Sequence, residues 1–130
     1  MKKNIERAQK LLAEAGYPEG KGFPELTYSY PSLELDSDTA QVIREQLKKN
    51  LNIEIKLNAQ ELQTNYSMRH AGNFDLCRMN WTADFSDPYT YLSMLLSDST
   101  YNCSGIKNEQ YDELVRRSDS RNRSCKNGLR

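Results

Sequence analysis

Two stretches of alternating apolar residues flank one amphipathic stretch between residues 26 and 57, and that order constrains the fold more than any other feature. Leu26, Tyr28 and Tyr30 alternate with Thr27 and Ser29 and end at Pro31; Ile53, Ile55 and Leu57 alternate with Glu54 and Lys56. Between them, Asp36-Ser37-Asp38 offers capping oxygens and negative charge to a helix start. Ala40, Ile43 and Leu47 supply its buried stripe, and Lys48-Lys49 place positive charge at its end. A strand, a helix and a strand joined this closely make a crossover unit, which favours a parallel pair with a right-handed connection. The predicted fold class is α/β, a single lobe with a small mixed, largely parallel sheet flanked by helices.

The rest of the chain adds elements to this unit. Ile5, Ala8, Leu11, Leu12 and Ala15 recur at helical spacing before the stop signals Gly16 and Pro18, and residues 19–24 form a turn cluster. A weaker helix is predicted over residues 60–71, with Leu62 and Tyr66 on one face and Gly72 as its stop. A third strand is predicted over residues 74–81. The next helix is expected to start at Asp87 with Pro88 in its first turn and Leu92, Leu95 and Leu96 on its inner face. Residues 97–105 read as a loop, and Tyr111, Leu114 and Val115 mark a last helix over 108–117. Residues 118–130 hold one large aliphatic residue, Leu129, and read as a solvated tail.

With 130 residues the chain is long enough for one domain with its own core. Lysine plus arginine (18) equals aspartate plus glutamate (18), so the electrostatic footprint of a nucleic-acid binder is missing and no nucleic-acid partner is expected. No apolar run approaches the roughly 20 residues needed to span a bilayer, so no membrane insertion is expected. The first residues, Met1 to Glu6, lack the apolar core of a signal peptide. The three cysteines, Cys77, Cys103 and Cys125, are an odd number without C-x-x-C spacing, so neither a disulfide framework nor a metal site is indicated, and no cofactor is implied.

The unusual chemistry collects in residues 73–88, N-F-D-L-C-R-M-N-W-T-A-D-F-S-D-P. Trp81, the only tryptophan, is expected at the end of the third strand, with Asp84 three residues on and Asp87-Pro88 opening the next helix. Ligands of open α/β sheets sit beyond the carboxyl ends of the strands, where an aromatic and a carboxylate are well placed to touch one. Each residue also has a structural reading. Asp84 can hydrogen-bond its own loop, Trp81 can fill the core, and Arg78 can pair with Asp75. Tyr89 and Tyr91 read as packing residues, and His70 beside Arg69 as a dipole contact at a helix end. A thiol hydrolase using Cys77 or Cys103 with His70 is the enzymatic alternative. It needs a base within hydrogen-bond reach of the thiol, and nothing local suggests such activation, so no catalytic residue is assigned.

Three motifs in order, A-x-x-L-L-x-E-A-G-Y-P-E-G-K-G-F-P from Ala8, K-K-N-L-N-I-E-I-K-L over 48–57 and W-T-A-D-F-S-D-P over 81–88, resemble the extracellular oligopeptide-binding proteins of bacterial ABC importers. The likeness covers residues 5–117 and part of that family's second lobe, which implies a periplasmic binding protein type II-like fold. It implies a partial peptide-binding lobe over residues 1–117 and a divergent, disordered tail over 118–130. The resemblance implies that Asp84 receives a peptide's α-ammonium group and that Trp81 walls a side-chain pocket. The backbone around Asn80 and Thr82 would pair with the peptide, and Arg78 would lie where short peptides place their carboxylate. It further implies peptides as ligands, the remainder of a two-lobed protein and an ABC permease as partners, and a periplasmic or cell-surface location. Weak binding and homodimerisation through an uncovered face are expected if the chain is one lobe alone, and a remnant that self-associates without binding is the alternative. Departures stand at Asp36, where the family often has a histidine, and at Thr82, where some relatives have a cysteine. The pattern also breaks after Val115, as a premature or frame-shifted end would produce.

Overall fold

The crossover unit is present in the computed structural model, which describes the backbone of residues 2–127 and the side chains of residues 4–119. In chain order the elements are α1 (Lys2–Glu14), a 3₁₀ turn (Pro18–Gly20), β1 (Leu26–Pro31), α2 (Glu34–Leu51), β2 (Ile55–Gln60), α3 (Leu62–His70) and β3 (Leu76–Cys77). They are followed by α4 (Tyr89–Leu92), a second 3₁₀ turn (Ser93–Leu95) and α5 (Glu109–Asn127). The chain divides into two compact units, the first holding Met1–Arg69 and Asn73–Met79, the second His70–Gly72 and Asn80–Arg130.

In the first unit the three strands lie parallel in the order β2-β1-β3, with Tyr28 opposite Leu57 on one side and Leu76 on the other. Because β1 is central and parallel, it is covered on both faces, and the expected alternation is only part of its pattern: Tyr28, Ser29, Tyr30 and Pro31 are all buried. Ser29 keeps its hydroxyl satisfied by accepting the Asn58 Nδ2–H, at 3.3 Å. The core joins Tyr28 and Tyr30 to Ala40, Ile53 and Ile55, with Leu12 and Phe23 packed against them. Ala40 is fully buried where α2 meets this cluster, and Ile43, Leu47 and Leu51 of the same helix pack against it.

Element boundaries moved for identifiable reasons. Ile53 is buried but precedes β2, because Asn52 adopts a left-handed conformation (φ 56°) that closes α2, its N–H on the Lys48 carbonyl at 3.0 Å. β2 then continues past Leu57 to Gln60, whose Oε1 accepts a bond from Asn65 at 3.1 Å. β3 has two residues rather than the eight expected over 74–81. Upstream of it, the Asp75 carboxylate accepts the Thr27 N–H at 2.9 Å, and a side chain there does the work of a ladder carbonyl. Trp81 consequently stands in irregular chain beyond β3, not at a strand end. Gly20, at φ +73°, closes the 3₁₀ turn onto α2; a Cβ there would meet the Leu51 carbonyl oxygen at 2.5 Å.

The second unit packs α4 and its 3₁₀ continuation with α5. Thr90, Met94, Leu96, Asp112 and Val115 are buried in it, and the Tyr111 hydroxyl donates to the Leu92 carbonyl at 2.7 Å. The expected inner face of Leu92, Leu95 and Leu96 holds only for Leu96. The helix tightens to 3₁₀ geometry after Leu92, which rotates the face and leaves Leu92 and Leu95 exposed. Tyr91, expected to pack, is half exposed. The last helix starts as expected but does not end at Arg117. It continues to Asn127, through residues read as tail, because no glycine or proline interrupts them; residues 128–130, Leu129 among them, lie outside the described residues. Among the described residues no helix is long and apolar enough to cross a membrane.

Candidate functional site

Arg78 leaves β3 in the first unit with its N–H on the Ser29 carbonyl at 2.9 Å, which keeps the main chain against β1 after the strand has ended. Its carbonyl accepts from Arg69 Nη1 at 3.4 Å and from the Cys77 thiol at 3.5 Å. Asn65, almost fully buried, lies behind this turn with its Oδ1 3.9 Å from the same sulfur. The Arg78 side chain is thus carried at the carboxyl edge of the sheet by a fixed backbone.

The guanidinium does not pair with Asp75. Its Nε donates to Asp36 Oδ1 at 2.8 Å, between an arginine side chain 29% exposed and an aspartate side chain 3% exposed. Asp36 was expected to cap α2; instead the helix begins two residues earlier, with Leu33 as its N-cap, and Asp36 sits in the first turn, where the dipole favours a carboxylate. The other carboxylate oxygen, Oδ2, is buried with no hydrogen-bond partner among the described residues. The hydrogen bond that Arg78 donates to Asp36, opposed by desolvation, holds the guanidinium above its ordinary range. Burial pushes the neighbouring Tyr28 phenol up, with Arg78 acting against it and Asp36 with it.

The second unit holds the other candidates. Asp84 is exposed in its loop, yet one end of it is tied: its N–H donates to Thr90 Oγ1 at 3.1 Å, and the same hydroxyl donates back to Asp84 Oδ2 at 3.1 Å. Thr90 is 2% exposed, so the carboxylate is steered from below by a buried hydroxyl, while Oδ1 accepts no hydrogen bond among the described residues. The carboxylate's partner is thus Thr90 of α4 and not its own loop, and it accounts for one oxygen only. Asp87 shapes the turn: its Oδ1 accepts the Tyr89 N–H at 2.9 Å.

Trp81 is half-buried, and its ring meets that of Tyr101 edge-on, with centroids 4.7 Å apart and planes at 64°. The indole N–H is buried without a partner among the described residues. Tyr101 carried no sequence signal, since it lies in an irregular loop twenty positions from Trp81. Asn80 and Thr82 are exposed on either side of the indole. The structure therefore brings Asp84 to Thr90, Trp81 to Tyr101 and Arg78 to Asp36. Among the described residues no cluster of three or more histidines, cysteines or acids is placed to hold a metal ion.

The periplasmic oligopeptide-binding protein OppA of Salmonella typhimurium is 37% identical over 115 residues, 87% of this chain and 21% of its own length. A crystal structure of an oligopeptide-binding protein (OppAIV) from Borrelia burgdorferi superposes with a TM-score of 0.83 at 39% identity, over 88% of this chain and 23% of that one. Haemophilus influenzae OppA, solved in complex with the peptide RPPGFSPFR, superposes with a TM-score of 0.80 at 32% identity, over 85% of this chain and 22% of that one. The chain spans about a fifth of the length of the curated relatives it matches. The fold is that of the periplasmic binding proteins. Bacterial extracellular solute-binding proteins, family 5 Middle, match residues 1–103, and the chain belongs to that family.

Proposed function

We propose that this chain contributes to peptide recognition in the solute-binding component of an ABC importer, in the periplasm or at the cell surface, without catalysis. A binder indifferent to peptide sequence draws its affinity from what peptides share: charged ends and a main chain of donors and acceptors. An ammonium group leaving water needs an opposite charge with good hydrogen bonds, and such bonds are roughly twice as strong as neutral ones. Asp84 is assigned to the ammonium, Trp81 to the wall of a side-chain pocket, and the main chain at Asn80 and Thr82 to strand-like pairing with the ligand. Arg78 is assigned to the region of the peptide's far end. The observation that carries this reading is the half-satisfied Asp84 carboxylate, with Oδ2 on the buried Thr90 hydroxyl and Oδ1 open.

Because that carboxylate is exposed, water screens it, and binding to the chain by itself is expected to be weak. The test is an NMR titration with a short peptide. Shifts centred on Asp84, Trp81 and Tyr101, and lost in Asp84→Asn, support the reading; an unchanged titration for the variant removes Asp84 from the site. A second reading, self-association without binding, is favoured by the exposed Leu35 and Val42 on α2, 73% and 56% accessible. A concentration-dependent dimer that shows no peptide-induced shift would favour it.

A further inference from the structure

We propose that Asp36 sets which part of a peptide the Arg78 position accepts: it neutralises the guanidinium, so that the position takes the uncharged main chain of a continuing peptide and does not select a free terminal carboxylate. This rests on the peptide-binding reading above and goes beyond it to ligand length.

An exposed partner would be screened by water, but Asp36 is 3% exposed and bonds Arg78 Nε at 2.8 Å. Its second oxygen has no donor among the described residues, so no other hydrogen bond draws off its charge. The whole negative charge acts on Arg78 and on anything that approaches it. The Nη groups of Arg78 make no hydrogen bond among the described residues, and the side chain is partly open, so the four N–H donors on these two nitrogens remain for a ligand. A carboxylate arriving there meets one positive charge and, slightly further away, one unscreened negative charge, and the two largely cancel. Such an anion still loses its hydration and gains little in return. A main-chain carbonyl accepts the same Nη–H bonds without that loss. A second arginine, Arg69, is turned to the Arg78 carbonyl and lies over the Tyr66 ring at 5.6 Å. A neutralised arginine can therefore donate to a peptide passing by, whereas an uncompensated one would anchor a peptide that ends there.

The experiment compares one tripeptide as its free acid and as its C-terminal amide, titrated into the chain and into Asp36→Asn by NMR. Asparagine keeps the shape and the acceptor oxygen but removes the charge. The proposal expects the two forms to bind the unaltered chain within about threefold of each other, and the free acid to become about tenfold the tighter in Asp36→Asn. A free acid that binds the unaltered chain tenfold or more tightly than the amide overturns it, and this comparison needs no variant to fold. A folded Asp36→Asn with an unchanged ratio also overturns it. If neither form shifts any resonance of the unaltered chain, the peptide-binding reading itself fails and the proposal falls with it, an outcome distinct from a binder that selects the free acid.

Discussion

Thr90 does two things with one hydroxyl, accepting the Asp84 N–H and donating to Asp84 Oδ2, at 2% exposure. Thr90→Val keeps the volume and removes both bonds. It is predicted to lower stability to urea by about 1–2 kcal/mol and to weaken peptide binding by loosening the carboxylate. Asp112 offers a separate test. Ser97 holds its carboxyl below the ordinary range through its hydroxyl and its N–H, the latter 3.0 Å from Oδ1. A carboxyl with a lowered folded pKa stabilises the fold above the unfolded value, about 4, and that contribution disappears as pH falls through the folded value. Melting temperatures measured down to pH 3 should therefore fall less in Asp112→Asn than in the unaltered chain; an identical slope would contradict this. Asp84 could be singled out as a candidate in the sequence because an acid beside the lone tryptophan in a short loop is conspicuous. Thr90 and Tyr101 were not, since an ordinary threonine in a helix and a tyrosine in a loop gain their meaning only from what the fold brings to them.

Elements were legible where burial follows a period and illegible where polar side chains replace main-chain partners. The stripe on α2 and the apolar start of β1 follow directly from spacing. The end of β2 does not, because Asn58 and Gln60 look like loop residues until their bonds to Ser29 and Asn65 are known. The same holds for the shortened β3, where Asp75 takes the Thr27 N–H, and for the start of α2, where Asp36 prefers an arginine to a capping role. Two substitutions probe the packing of the first unit. Ala40→Leu forces a larger side chain between helix and sheet and should cost about 1–3 kcal/mol in denaturant unfolding. Gly20→Ala combines a positive φ of 73° with a contact of 2.5 Å to the Leu51 carbonyl, and the strained backbone alone should cost about 1–3 kcal/mol. A full-stability Gly20→Ala would show that the turn does not pack on α2 as described.

At the scale of the molecule, the crossover unit determined the parallel sheet, and the family followed from motifs that the fold places in defined roles: Gly20 against α2, Asn52 closing it, Asp87 shaping the turn before α4. What the charge pattern could not give was the pairing of Arg78, because its partner lies 42 positions away and on another element. The central claim is that Asp84 receives the positive end of a peptide. It is tested most directly by a calorimetric cycle in which one peptide, with a free and with an acetylated amino terminus, is titrated into the unaltered chain and into Asp84→Asn. The account predicts that acetylation and the substitution each weaken binding by roughly tenfold, and that together they weaken it little more than either alone. Two losses that multiply in full, or an acetylated peptide that binds as well as the free one, would contradict it.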